Sequence, residues 1–215
     1  MNIRYLLRGF NRVRANGIFE TAAYSSRVAL KHLRGGLLDI RYGGRLSRTA
    51  HDWKRNEQGR YANVPTDVYT LDAIFDQLTI RADDALVDVG CGDGRVIAYC
   101  LSRRLNNKIV GIELLSDAAE IAARRFAKYP NVKIIAGDAT TTDAQGSIYF
   151  LFNPFEEGPT ERFERMLRGR DVTIAYLNHP HLDRFSRDHW HIEEHVATKP
   201  DWRQYRFAIL TPRRG

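Results

Sequence analysis

Three glycines alternate with other residues directly after a short apolar run, in the sequence LVDVGCGDGR of residues 86–95. Glycine permits sharp turns and lets the backbone approach a ligand closely, and the start of a following helix offers free N–H groups. The spacing predicts a strand, a ligand-binding turn at Gly90, Gly92 and Gly94, and then a helix. A dinucleotide-binding turn would need a glycine where Arg95 stands, and no Gly-Lys-Ser/Thr of a phosphate-binding loop follows.

Acidic residues lie at the ends of the next two predicted strands. Glu113 ends the run KIVGIE, and Asp138 follows the run VKIIA by two positions. The carboxylate of Glu113 can accept hydrogen bonds from both hydroxyls of a ribose, and the carboxylate of Asp138 can accept a hydrogen bond from the amino group of adenine. The carboxyl ends of parallel strands meet at one edge of the sheet, where open α/β sheets bind ligands. The pattern therefore predicts an adenosine site at this edge.

The sequences VDVGCGDGR, GIEL and AGDA together resemble the cofactor motifs of class I S-adenosylmethionine-dependent methyltransferases. The resemblance covers about residues 60–211. It implies an enzyme with S-adenosylmethionine as cofactor, and a doubly wound, mostly parallel seven-stranded α/β sheet with a C-terminal antiparallel hairpin. Carried over position by position, it assigns the methionine part of the cofactor to Asp88, Gly90, Cys91, Gly92 and Gly94, the ribose to Glu113 with Leu114 beside it, and the adenine to Asp138 and Ala139.

The fourth predicted strand ends in Asn153-Pro154-Phe155, which the resemblance places opposite the transferred methyl group. This tip is similar to the Asn/Asp-Pro-Pro-aromatic signature of amino-group methyltransferases, although the second proline is missing. The side-chain carbonyl of Asn153 can accept a hydrogen bond from an N–H nucleophile and so aim its lone pair, while Phe155 can stack on a flat substrate. The three residues are the candidate catalytic set, and Asn153 is also a candidate cofactor contact. A turn that merely closes the strand is the alternative.

Upstream, Tyr61 to Thr66 read YANVPT and resemble a segment that closes over the cofactor in some protein-lysine and related methyltransferases. Tyr61 and Thr66 are therefore candidate cofactor contacts, and a simple turn into a helix is the alternative.

The identity of the methyl acceptor stays open between an amine such as a protein lysine, a nucleic acid and a small metabolite. A module that binds the cofactor without catalysis is the alternative from another class.

These residues must be positioned by alternating strands and helices from Thr66 onward. The apolar runs predict strands at 85–89, 108–112, 132–136, 147–152 and 172–177, and two final strands at 190–197 and 204–211 with no helix between them. The intervening periodic stretches predict helices at 94–103, 117–129 and 160–167, with a further helix that Asp67 caps. Such a chain forms a parallel sheet covered by helices, with an antiparallel hairpin at one edge.

The first 60 residues differ in character from the rest of the 215-residue chain. They carry 13 Lys and Arg against four acids, a net charge of +9, whereas the remaining residues sum to −2. We expect a basic helical extension (1–60) and a catalytic domain (61–215). The spacing of apolar residues predicts an amphipathic helix at 3–14 and a second helix from 19 to 33 that stops at Gly35-Gly36, followed by an irregular segment. The positive charge of this extension predicts an anionic partner, and a solvated surface without a partner is the alternative.

Other residue types add little chemistry. The two cysteines, Cys91 and Cys100, are too few for a disulfide framework or a four-cysteine zinc site, and both are expected to be buried. Five histidines lie between His179 and His195, but without neighbouring cysteines we expect no metal. His179 or His181 could serve as a general base for a hydroxyl acceptor. No apolar run reaches the length of a transmembrane helix, and no secretory signal begins the sequence, so a cytoplasmic protein is expected.

Overall fold

The computed structural model of the protein describes residues 25–26, 29–30, 33–43, 66–198 and 204–213. Residues 33–42 form a helix, α1, and residues 25–26 and 29–30 ahead of it are also helical. The remaining helices are α2 (Val68–Phe75), α3 (Arg95–Ser102), α4 (Ser116–Phe126) and α5 (Glu157–Leu167), with a short 3-10 helix at Leu182–Arg184. The strands are β1 (Ala85–Val89), β2 (Lys108–Glu113), β3 (Val132–Ala136), β4 (Ile148–Phe152), β5 (Thr173–Leu177), β6 (Trp190–Thr198) and β7 (Gln204–Pro212).

The seven strands form one sheet in the order β3-β2-β1-β4-β5-β7-β6. The first five are parallel, and β7 runs antiparallel between β5 and β6. The predicted fold class, including the antiparallel hairpin at one edge, is confirmed. Because β1 lies at the centre and the chain winds outward from it in both directions, the tips of β1 and β4 are neighbours at the point where the strand order reverses.

The strands of the sheet centre are buried on both faces, since helices cover each side. Each face of the sheet has its own hydrophobic core, and successive residues of a strand point to opposite faces. Leu86, for example, packs with α2 and α3 on one face, while Val87 packs with α5 on the other. The helix α2 begins at Asp67, whose carboxylate accepts the N–H of Thr70 as an N-cap, as the sequence predicts. Both cysteines are buried, again as expected.

The prediction that the second helix stops at Gly35-Gly36 is wrong, because α1 continues to residue 42. Two glycines each cost a helix about 0.5–1 kcal/mol relative to alanine. That cost is offset by burial of Leu38 and Tyr42 against the domain, since burying one such side chain contributes roughly 1.5–3 kcal/mol. The prediction of an irregular segment from residue 36 is therefore wrong for residues 36–42, and its part from 44 to 62 lies outside the described residues. The predicted helix at 3–14 also lies outside them.

Two ion pairs fasten α1 to the domain. Arg34 Nη1 lies 2.6 Å from Asp72 Oδ2 on α2, and Arg95 Nη2 at the start of α3 lies 3.3 Å from Asp39 Oδ1. Beyond these pairs, the Tyr42 ring contacts Tyr129, which follows α4, with centroids 5.9 Å apart. The helix thus crosses the same face of the sheet that α2, α3 and α4 cover. The proposed division of the chain at residue 60 stays a prediction.

Candidate active site

The glycine turn joins β1 to α3 at the carboxyl edge of the sheet. Gly90, Gly92 and Gly94 all adopt positive φ angles of 73°, 49° and 87°, which suit glycine because they cost other residues about 1–2 kcal/mol. The N–H groups of Gly90 and Cys91 both donate to the carbonyl of Ile112 in β2. The turn is therefore folded back against the neighbouring strand.

At two glycines around this turn, Gly94 and Gly111, neighbouring side chains come so close that a Cβ atom would clash with them. A Cβ at Gly94 would stand 2.3 Å from the Phe126 ring of α4, and a Cβ at Gly111 in β2 would stand 2.8 Å from Cys91 Sγ. Gly94 therefore lets α4 pack against the turn, and Gly111 makes room for the Cys91 thiol. The Cys91 thiol is therefore closely packed, and burial raises its pKa well above the ordinary value.

Asp88 is the fourth of the five residues of β1 and is buried. Its Oδ2 atom has no hydrogen-bond partner among the described residues. Burial, with the charge of Glu113 as a second cause, raises the pKa of Asp88 to about 8. A buried carboxyl without a partner is costly unless a ligand satisfies it, so this atom suits the ammonium group of a bound amino-acid moiety.

Glu113 ends β2 and its carboxylate already holds the protein backbone. Oε2 accepts the N–H of Gly92 at 2.8 Å, and Oε1 accepts the N–H of Leu115 at 2.9 Å. Each carboxylate oxygen has a second lone pair, so the side chain can hold the turn and still accept ribose hydroxyls. Leu114 beside it is 58% exposed, which leaves its side chain free to cover a ligand.

Asp138 and Ala139 follow β3 at the same edge. Asp138 Oδ1 accepts the N–H of Thr140 at 2.8 Å, while its backbone carbonyl accepts the N–H groups of Thr141 and Thr142. These bonds shape a tight turn that buries Ala139 and leaves Asp138 half-buried. The turn fixes the position of the Asp138 carboxyl beside the tip of β2.

The tip of β4 lies over the glycine turn. A Cβ at Gly90 would stand 3.2 Å from Pro154 Cβ, which shows how closely the two segments approach. Asn153 adopts a positive φ of 43°, and its Oδ1 atom is buried with no hydrogen-bond partner among the described residues. The Phe155 ring packs against Phe163 of α5, with centroids 5.2 Å apart, so α5 supports one side of it.

The two residues expected upstream have different outcomes. Tyr61 lies outside the described residues. Thr66 is buried one residue before the cap of α2. Its role as a cofactor contact stays a prediction.

Sequence reasoning missed Arg95, which it noted only as the residue where a dinucleotide site would have glycine. Its side chain is 9% exposed and pairs with Asp39 from α1. Burial lowers the pKa of Arg95, and the charges of Asp39 and Asp67 raise it in part. No sequence signal points to this pairing, because the two residues are 56 positions apart.

The histidine segment gives a mixed outcome. His189 lies in a turn before β6, and its backbone N–H donates to the carbonyl of Ser186. His179 follows β5 with Nε2 buried and 4.0 Å from Glu194 Oε2. Within the described residues, no group of three His, Cys, Asp or Glu side chains is arranged to bind a metal.

A cavity of about 700 Å³ lies at the opposite edge of the sheet. Its lining includes Asp84, Ser147 and Thr173, which stand at the amino ends of strands, and the Asp84 carboxylate already accepts the Ser147 hydroxyl at 2.7 Å. Open α/β sheets bind their ligands at the carboxyl ends. The candidate site is therefore the one around the glycine turn.

The sequence comparison agrees with this geometry. Residues 86–169, which run from β1 through the glycine turn to the end of α5, match the family model described as a methyltransferase domain. The chain thus matches a methyltransferase domain over these residues. The resemblance drawn from the motifs is thus confirmed, and so is the class of enzyme. No curated protein matches the sequence.

Solved structures resemble the methyltransferase domain in fold. A TehB-like SAM-dependent methyltransferase from Corynebacterium glutamicum is 15% identical, with a TM-score of 0.52, covering 69% of this chain and 90% of that one. The putative methyltransferase yhhF from Escherichia coli is 20% identical, with a TM-score of 0.53 and coverages of 68% and 85%. TrmN from Thermus thermophilus is 16% identical, with a TM-score of 0.56 and coverages of 66% and 48%. At these identities the likeness establishes the fold alone.

Proposed function

We propose that the methyltransferase domain uses S-adenosylmethionine and transfers its methyl group to a nitrogen nucleophile held at Asn153. The observation that carries the proposal is the buried Asn153 Oδ1 atom after β4, which has no partner among the described residues. The next residue, Pro154, approaches Gly90 of the glycine turn. When bound, S-adenosylmethionine supplies a sulfonium methyl group that a nucleophile can accept.

The residues at the ends of three adjacent strands, β1, β2 and β3, fit this cofactor. Asp88 has a buried carboxyl oxygen suited to the ammonium of the methionine part, and the positive-φ glycine turn leaves space for it. Glu113 retains lone pairs for the ribose, and Asp138 stands one strand further out for the adenine. Because these strands are neighbours in the sheet, the four groups form one continuous surface.

Asn153 would act by positioning. Its amide oxygen accepts a hydrogen bond from the N–H of the acceptor, which turns the nitrogen lone pair toward the methyl group. Pro154 fixes the backbone after Asn153, and the packing of Phe155 on Phe163 holds the third residue of the tip. The acceptor proton leaves to solvent or to a nearby base.

An anionic partner for the basic residues 1–60 and a cytoplasmic location are further parts of the proposal. The charge of +9 on that segment supports the first. Binding that weakens steeply with added salt is the expected property of such a contact.

The cofactor site is tested by titrating the full chain with S-adenosylhomocysteine in a calorimeter. We expect micromolar binding that Asp88→Ala abolishes, because the carboxyl that receives the ammonium is then missing. Undiminished binding in Asp88→Ala would remove this assignment.

The activity is tested separately by incubating the chain with methyl-labelled S-adenosylmethionine and a cell lysate. We expect label in an amine-containing component, recovered as methylated nitrogen after acid hydrolysis. Binding without any labelled product would identify a non-catalytic module, and label on oxygen or on a nucleobase carbon would contradict the nitrogen acceptor.

A further inference from the structure

Four large aliphatic side chains face solvent along α1 and the helical residue before it. Leu30, Leu33, Leu37 and Ile40 are 50%, 58%, 55% and 82% exposed. Their spacing of three, four and three residues places them along one side of a helix. We call these four residues the aliphatic stripe. They make up half of the large exposed hydrophobic residues in the described part of the chain, so they form a patch rather than scattered exposure.

The stripe is exposed although the helix that carries it is firmly docked. On the other side of α1, Leu38 and Tyr42 are buried in the domain core. The ion pairs of Arg34 with Asp72 and of Asp39 with Arg95 hold the helix at two points along its length. The docked orientation therefore directs the stripe outward, where the residues that the structure describes leave it exposed.

A basic side chain borders the stripe. Arg41 is exposed and follows Leu37 by four residues, which makes the two neighbours on the surface of α1. The same stretch of sequence contains Arg27 and Lys31, and residues 1–60 carry a net charge of +9. A second copy of this helix would bring the same positive charges to the same border, which opposes self-pairing. A partner that complements the stripe and its positive border has an apolar interior and a negatively charged surface.

We propose that the aliphatic stripe binds the surface of a lipid bilayer that contains anionic phospholipids. The four aliphatic side chains enter the boundary between headgroups and acyl chains, and Arg41 contacts the phosphate and carboxylate groups, with the net positive charge of residues 1–60 adding to the attraction. In the described part of the chain, no helix is long and apolar enough to cross a membrane. The contact is therefore a helix lying parallel to the surface.

A second amphipathic segment supports a bilayer over a single protein partner. The sequence predicts a helix at 3–14 with Ile3, Leu6, Phe10 and Val13 at the same spacing of three, four and three, interleaved with four arginines. Two amphipathic helices that each bind a bilayer weakly hold a protein on its surface more stably than either helix alone. A groove on a protein partner would need only one of them.

The test is sedimentation of the full chain with vesicles. We expect binding to phosphatidylcholine vesicles that contain about one third phosphatidylserine, little binding to pure phosphatidylcholine, and loss of binding as salt is raised. The triple variant Leu33→Asn, Leu37→Asn and Ile40→Asn should bind at least about tenfold more weakly, because the inserting side chains are gone. Ile121→Asn, which changes an aliphatic residue on α4 that is 41% exposed, should bind like the wild type.

Binding of S-adenosylhomocysteine by both variants checks that each is folded. The proposal is overturned if the wild type ignores anionic vesicles, or if the triple variant binds them as well as Ile121→Asn does. A third result would also overturn it: in sedimentation velocity the wild type is a dimer and the triple variant a monomer, and neither protein binds vesicles. That result would assign the stripe to contact with a second copy of the chain.

Discussion

The carboxylate of Glu113 accepts the backbone N–H of Gly92 at 2.8 Å, which ties the tip of β2 to the middle of the glycine turn. The residue predicted to bind the ribose therefore also shapes the loop predicted to hold the methionine part. The two halves of the candidate cofactor site are connected through one side chain, so a change at Glu113 affects both.

Replacing Glu113 separates these two roles. Glu113→Ala leaves the buried N–H of Gly92 without its acceptor, which should cost about 1–3 kcal/mol of unfolding free energy, and should also abolish binding of S-adenosylhomocysteine. Glu113→Gln keeps one acceptor oxygen and should recover most of the stability but little of the affinity. Urea unfolding and calorimetric titration measure the two effects. Glu120→Ala, which removes an exposed pair with Arg124, is the control and should change neither; equal stability of Glu113→Ala and the control would refute the connection.

Asp88 should make stability depend on pH. Burial raises its pKa to about 8 in the folded protein, whereas an unfolded aspartate titrates near about 3.9. Between these values the unfolded chain has released a proton that the folded chain still holds, so the free energy of unfolding falls as the pH rises from about 4 to about 8. Asp88→Asn removes this dependence and should gain stability over the wild type as the pH rises, by no more than about 4 kcal/mol at pH 7.

Urea unfolding of the wild type and Asp88→Asn at pH 5 and pH 7.5 measures this difference. Cofactor binding supplies a complementary readout, because an ammonium placed at Asp88 favours the charged carboxylate and should release a proton. Titration of S-adenosylhomocysteine in two buffers with different heats of ionisation detects that proton. A stability difference that is the same at both pH values would contradict the raised pKa.

Gly94 should tolerate alanine far less well than another glycine with a similar backbone. Gly94→Ala adds a Cβ 2.3 Å from the Phe126 ring at a φ of 87°, so we expect a loss of about 2–4 kcal/mol in the free energy of unfolding. Gly169→Ala has a φ of 79° with no heavy atom within 4 Å of the new Cβ, and should cost only about 1 kcal/mol. Chemical denaturation compares the two variants. Equal losses would show that backbone strain, and not contact with α4, decides the effect.

Asn153 has a matched control in Asn178. Both residues end neighbouring strands with positive φ angles of 43° and 49°, but only Asn153 has a buried side-chain oxygen without a partner. Replacing either by alanine should cost similar stability. Asn153→Ala should lower the rate of methyl transfer by about 100-fold or more, with a smaller change in S-adenosylhomocysteine affinity, and Asn178→Ala should leave the rate near that of the wild type. Equal rates in the two variants would exclude the positioning role.

The strand tips were predictable because their signals are local. An apolar run followed by Gly90, Gly92 and Gly94 specifies strand, turn and helix within ten residues, and the alternation of strands with helices specifies which edge the tips share. The course of α1 through Gly35-Gly36 was not predictable, since it depends on burial of Leu38 and Tyr42 against a distant part of the chain. The same holds for the pairing of Arg95 with Asp39, which no spacing in the sequence reveals.

The position of β7 has a consequence for the order in which the sheet is completed. Among the described strands β6 pairs with β7 alone, and β7 follows it in the chain. Until β7 joins the sheet, β6 has two unpaired edges and β5 has one, and such edges pair readily with other chains. This nine-residue strand then closes the edge of β5 and one edge of β6 at once, and the other edge of β6 remains the edge of the sheet.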